Sequence, residues 1–175
     1  VPAALRSGKN GKLILTLDSK KLDAEGLTKT RIYLSRFTGD KVSNENELSV
    51  SAVLLPGFDK LSATELANSP ILAMSADSLQ LPIPQANKKS KGYIVLKNNG
   101  RTPLAIRSLQ VFNSALNVSL DKRQLESGES TKLEIAVVAR YLKVEKGRLR
   151  VLMITNDPRH AKVYINVLLT EAPAK

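Results

Sequence analysis

The sequence predicts an all-β protein built as an antiparallel β-sandwich, and three observations support this. Apolar and polar residues alternate with a period of two, as in TKLEIAVVA over 131–139 and AKVYINVLL over 161–169. Turn-forming residues separate such segments at short intervals, as in the Asn-Asn-Gly of 98–100. The chain is 42% hydrophobic but only 4% aromatic, so its core must consist of Leu, Val, Ile and Ala. This pattern is typical of half-buried strands.

Seven strands are predicted in the C-terminal part of the chain, near 77–83, 91–97, 103–111, 115–120, 131–139, 147–155 and 161–170. Seven short strands in about 100 residues are typical of an immunoglobulin-like Greek-key sandwich. Residues 71–172 are therefore predicted to form one complete domain of this kind, without the usual Cys and Trp core. We expect its buried residues to include Leu133, Ile135, Val137, Leu149, Val151, Val163, Ile165 and Val167.

A phrase of this domain also appears at the start of the chain. Residues 5–13 read LRSGKNGKL and residues 125–133 read LESGESTKL, with five of nine positions identical. The segment ELSVSAVLL over 47–55 likewise ends as AKVYINVLL does. Repeats indicate duplicated structural units. Residues 1–56 are therefore predicted to be the C-terminal three strands of a truncated copy, and we expect about 50 residues for the first four strands to precede Val1.

The three strands of the truncated copy are predicted near 13–17, 29–35 and 47–55. One of their faces is apolar, with Leu13, Leu15, Leu17, Ile32, Leu34, Val50 and Ala52. A sheet of this size needs a second layer over such a face. Upstream residues, a second copy, a partner's strand, or packing on the complete domain through Phe58 and Leu61 would each provide one.

Residues 57–70 are predicted to be a linker between the two copies. Ser62 and Glu65 have the spacing of a capping box, which predicts one or two helical turns that end before Pro70.

The net charge of +11 is concentrated in the second half of the chain. Residues 1–70 contain ten basic and eight acidic residues, whereas residues 71–175 contain seventeen and eight. Two clusters form a candidate anion-binding surface: Lys88, Lys89, Lys91, Lys143, Lys146, Arg148 and Arg150. Nucleic acid is disfavoured, because only Tyr141 supplies a nearby aromatic ring for stacking. A charged sheet face that keeps the protein soluble and blocks edge pairing is the alternative.

No catalytic, cofactor-binding or metal-binding residues are predicted. His160 is the single histidine, there is no cysteine, and no Gly-x-Ser-x-Gly motif occurs. Asp157 and His160 lie on one tight turn, where an Asn-Asp pair normally organises the backbone. Calcium is disfavoured because the acidic residues do not alternate as its ligands do. We therefore expect no enzyme activity, and we expect the His160→Ala variant to fold and bind normally.

The second half resembles a bacterial family of unknown function whose immunoglobulin-like domains are related to Hydin and major sperm protein. The resemblance lies in KGYIVLKNNGRTPLAIRSLQV, LESGESTKLEIAV and KGRLRVLMITNDPRHAKVYINVLL. It implies an exported protein in the periplasm or at the cell surface. The chain departs from the family at VFNSALNV, where many members have a cysteine pair, so the role of that pair does not transfer.

These observations predict a non-catalytic extracytoplasmic interaction or architectural module. It would recognise a protein partner, or a second copy of itself, through loops or a sheet edge. The alternative is a basic anion-binding module for acidic glycan or nucleic acid. No apolar run approaches the roughly 20 residues that a membrane-spanning helix needs.

Overall fold

The protein is an immunoglobulin-like β-sandwich preceded by a β-hairpin, as a computed structural model shows; it describes residues 8–22, 25–142 and 147–171. The hairpin consists of β1 (Gly26–Tyr33) and β2 (Glu47–Leu54), and helix α1 (Ala63–Ala67) follows it. The sandwich contains β3 (Leu72–Met74), β4 (Ser78–Pro82), β5 (Lys89–Asn98), β6 (Leu104–Val111), β7 (Leu116–Leu120), β8 (Gln124–Leu125), β9 (Ser130–Val138), helix α2 (Ala139–Leu142), β10 (Arg150–Thr155) and β11 (Lys162–Thr170). Short 3-10 helices cover Ser19–Lys21 and Asn44–Asn46.

All seven strands predicted in the second half are present, as β4 to β7 and β9 to β11. They form a five-stranded sheet in the order β4-β11-β10-β6-β8 and a four-stranded sheet in the order β3-β5-β9-β7. Strand β4 runs parallel to β11, and every other pairing in the two sheets is antiparallel. The two strands that the sequence pattern missed, β3 and β8, are too short to show alternation.

The core lies between the two sheets and consists of aliphatic side chains, as the composition predicts. Six of the eight residues expected there are buried: Leu133, Ile135, Val137, Val151, Ile165 and Val167. The other two, Leu149 and Val163, are half-buried and pack against the same cluster. Alternation therefore assigned the inward faces of β9, β10 and β11 correctly.

Strand β10 is buried on its outer face as well, because the hairpin covers part of the five-stranded sheet. Leu152 and Ile154 point away from the core and are nevertheless fully buried. Their cross-strand partners on β6 are Gln110 and Ser108, and a Cβ on Gly26 would lie only 2.8 Å from Gln110 Oε1 and 3.0 Å from Ser108 Oγ. The start of β1 thus lies directly over this face.

Two polar contacts attach the hairpin at the same place. The Leu27 N–H donates to Gln110 Oε1 at 2.6 Å, and Arg107 Nη1 lies 2.6 Å from Glu25 Oε1. The packing of the first unit on the second, one of the expected arrangements, is therefore present, and it is made by β1. Phe58 and Leu61 face the sandwich separately, across a cavity of about 440 Å³ near Arg107.

The prediction of a strand over 13–17 is wrong. Two of the three strands expected in the first unit form, but residues 9–18 have no strand pairing. Leu15 and Leu17 instead lie beside the hairpin and line a groove with it. An alternating sequence becomes a strand only when an adjacent backbone pairs with it, and no strand of the described residues forms a hydrogen-bonded ladder with this segment.

The linker has the predicted capping box. Ser62 Oγ accepts from the Glu65 N–H at 3.2 Å, and Glu65 Oε2 accepts from the Ser62 N–H at 2.8 Å. Helix α1 follows and ends before the buried Pro70. The division of the chain at 56 and 70 into a truncated copy, a linker and a complete domain remains a prediction.

Candidate binding surfaces

The turn that contains the single histidine connects β10 to β11 and is hydrogen-bonded to β3. Asp157 is fully buried in the turn between β10 and β11. Its carboxylate accepts from the Leu72 N–H of β3 and from the Arg159 N–H, both at 2.9 Å. His160 Nδ1 lies 2.8 Å from Asp157 Oδ2, and about half of the His160 side chain is exposed. Asp157 therefore fixes β3 to this turn, while His160 covers the carboxylate on its solvent side.

The neighbouring Asn156 also bonds this turn to the backbone of another part of the sandwich. Its Oδ1 accepts from the Ala105 N–H at 2.7 Å, and its Nδ2 donates to the Pro103 carbonyl at 3.0 Å. The Asn-Asp pair thus bonds to the backbone of other strands as well as to its own turn. Among the residues that the structure describes, no group of three His, Cys, Asp or Glu side chains could hold a metal ion.

The Asn-Asn-Gly motif has a comparable structural role. The buried Asn98 donates to the carbonyls of Thr102 and Leu125, and its Oδ1 accepts from the N–H groups of Gly100 and Ile71. Gly100 is required by close approach, since a Cβ there would lie 2.4 Å from the Ile71 nitrogen. The motif therefore holds the end of the linker against the sandwich.

The structure separates the residues of the predicted anion-binding surface. Lys89 and Lys91 lie on β5 of the four-stranded sheet, and Lys88 precedes that strand. Arg150 begins β10 of the other sheet, and Arg148 lies just before it. Lys143 and Lys146 lie outside the described residues. Whether any of these residues binds an anion remains a prediction.

The two groups differ in what surrounds their charges. Lys91 Nζ lies 3.1 Å from Glu134 Oε1, so this cation is already paired across β5 and β9. Lys89 lines a polar cavity of about 620 Å³ together with Arg140 and Tyr141. The Arg140 guanidinium lies 4.6 Å from the centre of the Tyr141 ring.

The Arg150 guanidinium contacts two aromatic rings from separate parts of the chain. Its guanidinium carbon is 4.7 Å from the centre of the Phe112 ring and 4.9 Å from that of Tyr164. The ring centres are 6.1 Å apart, and the planes meet at 45°. Phe112 follows β6, and Tyr164 lies on β11, so the pairing of β6, β10 and β11 creates the cluster. No local pattern in the sequence signals it.

The hairpin presents the second candidate surface, an apolar groove of about 320 Å³. Five of its lining residues occupy alternate positions of the two strands: Thr28, Thr30, Ile32, Val50 and Ala52. Ser51 and the segment before the hairpin, Leu15, Thr16 and Leu17, complete the lining. Leu15 and Leu17 remain 48% and 54% exposed. The apolar face predicted for the first unit therefore exists and is only partly covered.

The loop that joins β1 to β2 is held by an ion pair. Arg36 donates from its backbone N–H and from Nε to Asp40 Oδ2, each at 3.0 Å. These bonds stabilise the charged carboxylate and lower the pKa of Asp40 to about 2.

One solved structure has a similar fold over most of this chain, and two others resemble it at lower TM-scores. A protein of unknown function from Porphyromonas gingivalis W83 is similar over 84% of this chain, with a TM-score of 0.67 and 26% identity, and this chain spans 66% of that protein. The ASH/PapD-like domain 7 of human CEP192 gives a TM-score of 0.44 at 15% identity, covering 69% of this chain and 99% of that domain. The secreted serine protease VesC from Vibrio cholerae gives 0.36 at 12%, covering 74% and 28%. No protein-family model and no curated protein sequence matches the chain.

Proposed function

We propose that the chain is a non-catalytic interaction module that receives an extended strand of a protein partner on its β1–β2 hairpin. The observation that carries the proposal is the unpaired state of this hairpin. Both outer edges of its ladder have no strand partner among the described residues. Its apolar face borders a groove that residues 15–17 fill only in part.

A strand suits this site because strand edges are recognised through backbone hydrogen bonds and side-chain pockets. Beyond the ladder with β1, β2 makes no backbone hydrogen bond within the described part of the chain. The groove lining is aliphatic and threonine-rich and has no charged side chain. An incoming strand with alternating apolar residues would fill the groove and bond to the edge at once.

The sandwich shows how this protein closes an edge elsewhere. Strand β4 has five residues and adds in parallel to β11, pairing from Asn166 with Ser78 to Thr170 with Pro82. Strand β3 has three residues and adds to β5. Short strands thus pair with the edges of longer strands in this protein. This supports a strand as the ligand of the unpaired hairpin edge.

The proposal places the module outside the cytoplasm. Its support is the resemblance of residues 91–170 to the Hydin- and major-sperm-protein-related family of exported bacterial proteins. Among the described residues, no helix has the length and apolar character of a membrane span. Fractionation of cells that produce the full gene product tests this part, and recovery in the cytoplasm would contradict it.

Site-specific photo-crosslinking in the native cells tests the binding mode. A photoreactive residue replaces Val50, which lines the groove, or Ser49, the next residue on the same strand, which points away from it. We expect the probe at 50 to cross-link to a peptide with alternating apolar side chains, and the probe at 49 to give no such product. Val50→Lys should abolish the interaction and Ser49→Lys should preserve it. Equal products from both positions, or cross-links only to a second copy of this chain, would refute the proposal.

A further inference from the structure

Three cations on the outer face of the five-stranded sheet form a basic strip: Arg148, Arg150 and Lys162. None of the three has a carboxylate partner among the residues that the structure describes. The outward positions of β10 and β11 contain no Asp or Glu. A cation at the other end of this sheet face is paired, since Arg107 Nη1 lies 2.6 Å from Glu25 Oε1. Three uncompensated charges on one face make a surface that attracts anions.

Arg150 is the ordered member of the basic strip. The rings of Phe112 and Tyr164 lie within 4.9 Å of its guanidinium, and this contact with two π faces is attractive. Lys162 Nζ also lies 5.9 Å from the centre of the Tyr164 ring. A guanidinium held in this way loses little conformational freedom when it binds. Its N–H groups can then form the paired hydrogen bonds that match a carboxylate or a sulfate.

The dimensions of the basic strip favour an extended ligand. Arg150 lies opposite Asn166, and Lys162 is four positions away along β11. Arg148 lies two positions beyond Arg150 in the opposite direction. Since a strand rises about 3.4 Å per residue, the Cα atoms of the three residues span on the order of 20 Å. A single small anion cannot contact all three, whereas a polymer with regularly spaced anionic groups can.

The aromatic rings disfavour nucleic acid as that polymer. Single-stranded nucleic acid is held largely by bases that stack on free ring faces. Here the faces of Phe112 and Tyr164 are directed at Arg150, and the rings are tilted by 45° to each other. They therefore orient the guanidinium and do not offer a stacking platform.

We infer that the outer face of β10 and β11 is a binding site for acidic polysaccharide, with Arg150 as its central contact. Carboxylate and sulfate groups share the chemistry that this residue recognises. The site lies on the sandwich and does not depend on the hairpin groove, so the two can fail separately.

Binding of four defined probes to the full chain tests the inference. The probes are heparin for sulfate, polygalacturonate for carboxylate, a 20-nucleotide single-stranded DNA of mixed sequence, and neutral dextran. We expect heparin or polygalacturonate to bind with an affinity that falls as salt rises, and the difference between them identifies the anionic group. Dextran should not bind. Tighter binding of the DNA than of both acidic polysaccharides would overturn the ligand class.

Matched variants locate the site. Arg150→Gln should weaken binding about tenfold, the effect of losing a charge-assisted contact, and should reduce the salt slope by about one. Arg140→Gln is the control, because it removes the same charge from a stacked arginine of helix α2, which follows β9 of the other sheet. Arg148→Gln combined with Lys162→Gln repeats the test on two exposed side chains, and should weaken binding without altering the melting curve. Equal losses in Arg150→Gln and Arg140→Gln, or no binding of any acidic polysaccharide, would overturn the inference.

Discussion

Strand β2 of the hairpin and strand β11 of the sandwich lie in segments that both end in Val-Leu-Leu, but the apolar side chains before that ending lie on opposite faces. With 47–55 aligned to 161–169, the core residues Val163 and Ile165 correspond to Ser49 and Ser51. The groove residue Val50 corresponds instead to Tyr164, which points outward. Because strand side chains alternate, a one-residue change in the apolar pattern exchanges the two faces of a strand. The resemblance of 47–55 to 161–169 thus coincides with a strand in both places and does not indicate which face of the strand is buried.

The two regions also differ in how they are held. The sandwich has two sheets that cover each other, and most of its apolar positions are buried. The hairpin has one ladder, and it is attached to the sandwich mainly near Gly26 and Leu27, at the start of β1. A two-stranded ladder is marginal without a second layer. We therefore expect substitutions to cost much more free energy in the sandwich than in the hairpin.

The largest difference should appear on removal of a large aliphatic side chain. Leu133→Ala leaves a cavity in a fully buried site and should lower the free energy of unfolding by about 4 kcal/mol. Ile32→Ala, on the half-buried groove face, should lower it by about 1 kcal/mol or less. Urea denaturation followed by circular dichroism measures both. Similar losses for the two variants would show that the hairpin face is covered.

The second-largest loss of stability is expected at Asp157, in the turn between β10 and β11. Asp157→Ala leaves the Leu72 and Arg159 N–H groups without their buried acceptor, so we expect a loss of about 3 kcal/mol. His160→Ala should cost about 1 kcal/mol or less, because the histidine is half exposed. Thermal melts of the two variants provide the comparison. A histidine variant as unstable as the aspartate variant would mean that the ring is an essential part of this turn.

A glycine pair tests how tightly the hairpin lies on the sheet. Gly26 and Gly39 both have positive φ, but only Gly26 has atoms of the sandwich near the position of a Cβ. Gly26→Ala should therefore cost about 1 kcal/mol more than Gly39→Ala, since backbone strain is common to both and the contact is not. Hydrogen exchange should show faster exchange of β1 amides in Gly26→Ala alone. The same exchange rates in both variants would argue against the close approach.

The smallest effect is expected at low pH, where only the loop between β1 and β2 should lose stability. Asp40 has a pKa of about 2 in the folded protein, below its ordinary value of 3.8. A lowered pKa means that its ion pair stabilises the loop fully above about pH 4 and is lost as the pH falls through about 2. Amide exchange in residues 35–46 should rise across this window while β9 remains protected. In the Asp40→Asn variant, amide exchange in this loop should no longer rise as the pH falls. A rise that persists in the variant would assign the pH dependence to another group.

Local chemistry made a large part of this fold predictable. The period of two identified seven strands of the sandwich, and turn residues marked the intervals between them. The capping box of Ser62 and Glu65 was predictable because both of its bonds span three residues. The segment 13–17 was not, because its alternation is as regular as that of a strand but no strand pairs with it.

The candidate surfaces show the same limit. The sequence places Arg150 in a basic cluster whose nearest aromatic residue along the chain is Tyr141. In the structure, the rings that contact Arg150 are those of Phe112 and Tyr164. These three side chains come from three separate parts of the chain and meet only through the register of β6, β10 and β11.

By itself the sequence determined the strand positions, the turns, the aliphatic core and the excess of positive charge, because each depends on residues near one another in the chain. Only the tertiary structure decided that Asp157 bonds to Leu72, that Gly26 rests over Gln110, and that the hairpin groove stays open. Those features depend on which strands become neighbours and in what register. Such contacts join residues tens of positions apart, and no local pattern encodes them.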